Sequence, residues 1–61
     1  MTINELYNHY ETWAEMGRKL DINHSMIHYY RKIGYIPFSK QCVIEKISNG
    51  LFKASLEDIN K

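Results

Sequence analysis

The sequence predicts an all-α fold, a small helix-turn-helix bundle of four to five short helices. Three observations carry that prediction. Apolar residues recur at helical spacing in four separate segments. Side chains that cap helix starts, Thr2, Thr12 and Asn23, stand just ahead of three of them. Residues suited to ending helices, Gly34 and the pair Asn49-Gly50, follow the third and fourth. A chain of 61 residues makes one domain, residues 1–61, and folding hides only about 60 % of the surface that its unfolded form exposes.

Thr2 followed three residues later by Glu5 is a capping-box pattern, and it opens a helix with Ile3, Leu6, Tyr7 and Tyr10 on one face. Thr12 and Glu15 repeat that signature. They predict a second helix from about Trp13 to Leu20, with Trp13, Met16 and Leu20 inward. Asn23 caps a third helix, roughly His24 to Ile33, which turns Ile27 and Tyr30 inward and ends at a left-handed Gly34. Pro37 fits the opening of a fourth helix, which runs to Ser48 with Val43, Ile44 and Ile47 as its apolar stripe. Cys42 beside that stripe reads as a buried small hydrophobe. Leu51 to Ala54 suits irregular backbone or a strand, and Ser55 with Asp58 predicts a last short helix burying Leu56 and Ile59.

Eight basic and seven acidic side chains nearly cancel, but they are not evenly spread. Residues 1–17 hold three glutamates and no Lys or Arg, whereas residues 18–53 hold seven Lys and Arg against two acids. A basic middle between acidic ends suits a polyanionic partner. One cysteine cannot make an internal disulfide, and no Cys-x2-Cys pair exists. His24 and His28, four apart, read as solvated helix residues, so no metal and no cofactor is expected. No apolar run approaches a membrane span, and no basic-then-apolar signal opens the chain. The sequence thus reads as cytoplasmic and reduced. Without a nucleophile–base pair or room for a substrate cleft, it does not read as an enzyme.

The informative segment is Trp13 to Lys32, two short helices joined by a tight turn. Gly17 is the small residue that lets them approach, and Asp21 is the turn residue that tolerates positive φ. Met16, Leu20, Ile22, Ile27 and Tyr30 lock the pair, which leaves the outer face of the second helix polar. Such a face fits the DNA major groove, with the helix's N-terminal part against the bases. His24, Ser25, His28 and Tyr29 are therefore the expected base contacts, although Tyr29 also suits a half-buried rim. Arg18, Lys19, Asn23, Arg31, Lys32 and Lys40 are the expected phosphate contacts, and the free N–H groups near Phe38 to Lys40 add a seat for an anion. Histidine ordinarily changes charge between pH 5 and 8, so acidification is expected to tighten binding.

Leu20-Asp21-Ile22-Asn23, then Ile27 and Tyr30, then Gly34-Tyr35-Ile36-Pro37 resemble the short Cro-type phage repressors and the related YdaS-type antitoxins. Cys42, Ile44-Glu45, Asn49-Gly50-Leu51 and Leu56-Glu57-Asp58 continue the likeness, which spans about Leu6 to Ile59. It implies a transcriptional repressor of a phage or prophage in a bacterial host, acting as a homodimer on palindromic double-stranded operator DNA. The family's DNA-reading helix then corresponds to His24 through Lys32. Asp21 stands where that family has glycine, Gly17 where it has alanine, and Tyr30 where tryptophan is common.

Ile27-His28-Tyr29-Tyr30-Arg31-Lys32-Ile33-Gly34 is also similar to a stretch of MerR-type and excisionase-like winged-helix proteins, which implies a β-hairpin wing soon after Pro37. An apolar-periodic helix occupies that place here, which favours the Cro-like reading. Five tyrosines leave a protein-binding adaptor or antitoxin as the alternative from another class. Leu51, Phe52, Leu56 and Ile59 are the apolar residues available for a dimer interface, or equally for the core.

Overall fold

Local side-chain chemistry starts three of the helices in the computed structural model, which describes residues 1–59. Thr2 Oγ1 accepts from the Glu5 amide at 3.2 Å while Glu5 Oε1 accepts from the Thr2 amide at 2.7 Å, the reciprocal box that opens α1 (Ile3–Tyr10). Only half of that box forms at α2 (Trp13–Leu20). Thr12 Oγ1 accepts from the Glu15 amide at 3.1 Å, but the Glu15 carboxylate turns away to pair with Arg18. Asn23 Oδ1 accepts from the Met26 amide at 2.9 Å and opens α3 (His24–Ile33). Pro37 precedes α4 (Phe38–Ile47) without a side-chain cap. A 3₁₀ turn, Leu56–Ile59, follows, and no strand occurs among the described residues. The molecule is all-helical, as the periodicity predicts.

The first three helices end in left-handed residues. Asp21 takes φ 57° after α2 and Gly34 takes 87° after α3, both at the expected positions. Glu11 takes φ 71° after α1, a conformation that no feature of its sequence announces. Gly17 sits where α2 meets the segment leading into α3. A Cβ there would lie 2.6 Å from the Ile22 carbonyl oxygen and 3.1 Å from Ile27 Cδ1, so only glycine permits this approach. An alanine there would push the two helices apart.

Leu6, Met16, Leu20, Ile36 and Ile44 have no exposed surface, and Ile3, Ile22, Ile27 and Tyr30 are nearly as buried. Tyr10, Trp13, Ile33 and Phe52 pack at the margin of this core. Tyr7, expected on the inner face of α1, lies at the rim with its ring 4.3 Å from that of Trp13.

The second half departs from expectation. Val43 and Ile47 are exposed, and the buried residues of α4 are Gln41 and Ile44. Cys42 is exposed too, one position round from the inward line. The physical reason is that α4 turns its inner face toward the two ends of the chain. Gln41 Oε1 accepts from the Met1 ammonium at 3.0 Å and from the Ser55 amide at 2.9 Å, while its Nε2 donates to the Ile36 carbonyl at 2.8 Å. The Met1 ammonium also donates to the Lys53 carbonyl at 3.0 Å and pairs with Asp58 at 2.8 Å. Glu45 Oε1 accepts from the Ala54 amide at 2.8 Å. Residues 51–55 are irregular backbone held by these polar contacts, which decides against a strand. The Ser55 carbonyl, not its hydroxyl, accepts from Asp58, and Leu56 is 60 % exposed where burial was expected.

Candidate nucleic-acid interface

Burial of Ile27 and Tyr30 fixes which side of α3 faces outward. At 3.6 residues per turn, Ser25, His28 and Lys32 then align along the opposite side, with His24 and Tyr29 flanking them. All five are exposed. In the Tyr29-Tyr30 pair the rings lie 6.1 Å apart. Tyr30 is inside and Tyr29 is 50 % exposed, so Tyr29 belongs to the outer face and not to a half-buried rim. Burial, and to a smaller extent the neighbouring Tyr29, hold the Tyr30 phenol above its ordinary pKa, which keeps it neutral as an anchor.

Met26 is also exposed on α3, at 38 %, and adds an apolar side chain to this face. Sequence reasoning had no use for it. The available signal was that position 26 falls between the inward line of Ile27 and Tyr30 and the outward line of Ser25 and Tyr29.

The expected phosphate contacts divide into groups. Arg18 and Lys19 are exposed in the last turn of α2, and Arg31 and Lys32 in the last turn of α3. The Arg31 guanidinium carbon lies 4.4 Å above the Trp13 ring, a cation–π contact across α2 and α3. The Asn23 oxygen is occupied as the cap of α3, which leaves its amide NH2 as a donor. Lys40 stands apart, half-buried in the first turn of α4, where Pro37 leaves the N–H groups without a side-chain cap.

An open cleft of about 300 Å³ lies along the junction of α2 and α3. Ala14 and Gly17 form part of its lining, Trp13 walls it, and Arg18, Asn23 and His24 border it. A second concavity, about 410 Å³, lies along α4 beside Cys42, Lys46 and Gly50.

The four residues expected at a dimer interface differ in exposure. Leu51 and Leu56 are exposed, Ile59 is half-buried, and Phe52 packs against the core beside His9, their rings 5.3 Å apart. Phe52 is therefore a core residue. The exposed apolar residues nearby are Val43, Ile47 and Leu51, each four positions from the next.

Phe38 to Ile47, where a winged-helix protein needs its hairpin, is helical. Among the described residues no helix is long and apolar enough to cross a membrane. Among the described residues no group of three or more His, Cys, Asp or Glu side chains is placed to hold a metal ion. Comparison with protein-family models, with curated proteins and with solved structures found no match to this chain.

Proposed function

We propose that the chain is a sequence-specific DNA-binding repressor of transcription that lays α3 in the major groove. One observation carries this reading: a two-helix unit locked at Gly17 and Asp21 presents one polar, exposed helix face, His24, Ser25, His28, Tyr29 and Lys32. Ser25 and His28 supply hydrogen-bonding groups to base edges, and Met26 supplies an apolar contact for a thymine methyl. The cationic ends of α2 and α3 neutralise phosphates on either side. Like the Cro-type repressors it resembles, the chain acts as a homodimer on a palindromic site. Size supports that stoichiometry. One copy measures 26 Å along its longest principal axis, shorter than the roughly 34 Å between successive half-sites, so a site with two half-sites takes two copies. The exposed Val43, Ile47 and Leu51 are available to join them.

Selection from a pool of random duplexes tests the reading. Enrichment of one motif, weakened by about 1–3 kcal/mol on His28→Ala, is the expected result. A pool that stays random after repeated rounds contradicts it.

The same exposed apolar residues, on α4 and just after it, favour a second reading, an adaptor that binds another protein. A stoichiometric protein partner retained after nuclease treatment, together with an unenriched duplex pool, would favour that reading.

A further inference from the structure

The cleft between α2 and α3 has two features that the outward face of α3 does not explain. Its lining includes the two smallest side chains of α2, Ala14 and Gly17, and it carries two cations: Arg18 is part of the lining, and Arg31 rests on the Trp13 wall. Apolar lining beside two cations suits a strand whose uncharged sugar lies between two phosphates.

We infer that this cleft seats the backbone of one DNA strand, with a deoxyribose against Ala14 and Gly17 and its flanking phosphates at Arg31 and at Arg18. The inference rests on the DNA-binding reading above and specifies where one strand lies. Charge complementarity names the occupant, and the cleft is continuous with the proposed reading face through His24, which belongs to both.

The two arginines are not equivalent. Glu15 engages Arg18, so a phosphate arriving there must compete with a carboxylate. Arg31 has no carboxylate partner among the described residues, and the indole restrains its guanidinium. Trp13 is itself stacked on Tyr7, which ties the wall to α1. Arg31 is therefore the pre-positioned contact, and Trp13 is the positioning residue that holds it. Such a seat does not read sequence, so any duplex fills it.

Trp13 is the only tryptophan in the chain, and it reports on the seat directly. The full chain is titrated with a labelled mixed-sequence duplex of roughly 30 base pairs, long enough for two half-sites. Duplex anisotropy and tryptophan emission are followed together at several salt concentrations. Ala14 is exposed, so Ala14→Leu fills the cleft without entering the core, and its thermal midpoint serves as the folding control. Arg31→Gln is the second variant.

The wild-type chain should bind with a change in Trp13 emission. Ala14→Leu should weaken binding several-fold with the thermal midpoint unchanged. Arg31→Gln should make the log–log salt slope shallower by about 0.9 for each bound copy, about 1.8 for a dimer on the duplex. Wild-type binding matched by both variants, with emission unmoved at saturation, overturns the cleft seat and leaves the reading face standing. No binding by the wild-type chain at low salt overturns both.

Discussion

Between Ile3 and Ile36 the chain is held by interdigitated apolar side chains, with Leu6, Met16, Leu20 and Ile36 fully enclosed. From Pro37 onward only Ile44 is buried to that degree among the apolar residues. Apart from Phe52 at the margin of the core, the remaining anchorage is polar: Gln41, Glu45 and the Met1 ammonium hold residues 53–58 through backbone groups and Asp58. The first region contains the proposed DNA-binding unit, and the second closes the far side of the same core. Apolar packing tolerates small shifts, whereas a buried polar hub leaves groups unsatisfied when one partner is lost. The two regions should therefore fail differently.

The largest effect separates them at once. Leu20→Ala should lower stability by about 4 kcal/mol and unfold all helices in a single transition, measured by urea denaturation followed by circular dichroism. Next, Gln41→Leu keeps the volume but removes the acceptor for the Met1 ammonium and the Ser55 amide and the donor to Ile36. A loss of about 3 kcal/mol is expected. Amide exchange should accelerate at Ser55 before α1–α3 open. Uniform acceleration across the chain would erase the distinction between the regions.

Gly17→Ala should cost about 2 kcal/mol, because the added carbon meets backbone and not a flexible side chain. DNA affinity should fall further than this loss of stability explains, since α3 must move relative to α2. An alanine variant with native stability and affinity would show that the helices meet less closely than 2.6 Å implies.

How much of this was legible in the sequence follows the same division. Thr2, Thr12 and Asn23 act on amides three residues away, and Gly34 and Asp21 act at their own positions. Their roles were readable from neighbours alone. The outward face of α3 followed from Ile27 and Tyr30 by helical spacing. Gln41 was not readable, because its partners lie 40 residues back at Met1 and 14 ahead at Ser55. Missing that hub put Val43 and Ile47 inside and Cys42 with them, since apolar spacing was the only local signal on α4. The Trp13–Arg31 contact was hidden for the same reason. It joins two helices through a crossing geometry that neither segment encodes alone.

Smaller effects sharpen the comparison. Asp58→Asn should lower stability by about 1 kcal/mol. Acetylating the Met1 amine should lower it by more, because its bonds to Gln41 and Lys53 go too. The two together should cost less than their sum. Full additivity in that thermal-denaturation cycle would mean that the pair does not form.

The smallest concerns alkali. Burial raises the Tyr30 pKa above its ordinary value of 10.0, so the fold favours the protonated phenol. That contribution is whole below pH 10.0 and is lost as pH rises through the folded-state value. Tyr30→Phe should flatten part of the stability decline above pH 10.0, as followed by thermal melts. An unchanged decline would place its source elsewhere.

The most direct test of the DNA-reading face is a fluorescence-anisotropy titration at two salt concentrations. It compares the DNA upstream of the protein's own gene with a scrambled duplex of equal length. Tighter, salt-dependent binding to the upstream DNA, lost in His28→Ala, is the predicted result. Equal affinity for both duplexes, unaffected by His28→Ala, would contradict a sequence-reading α3.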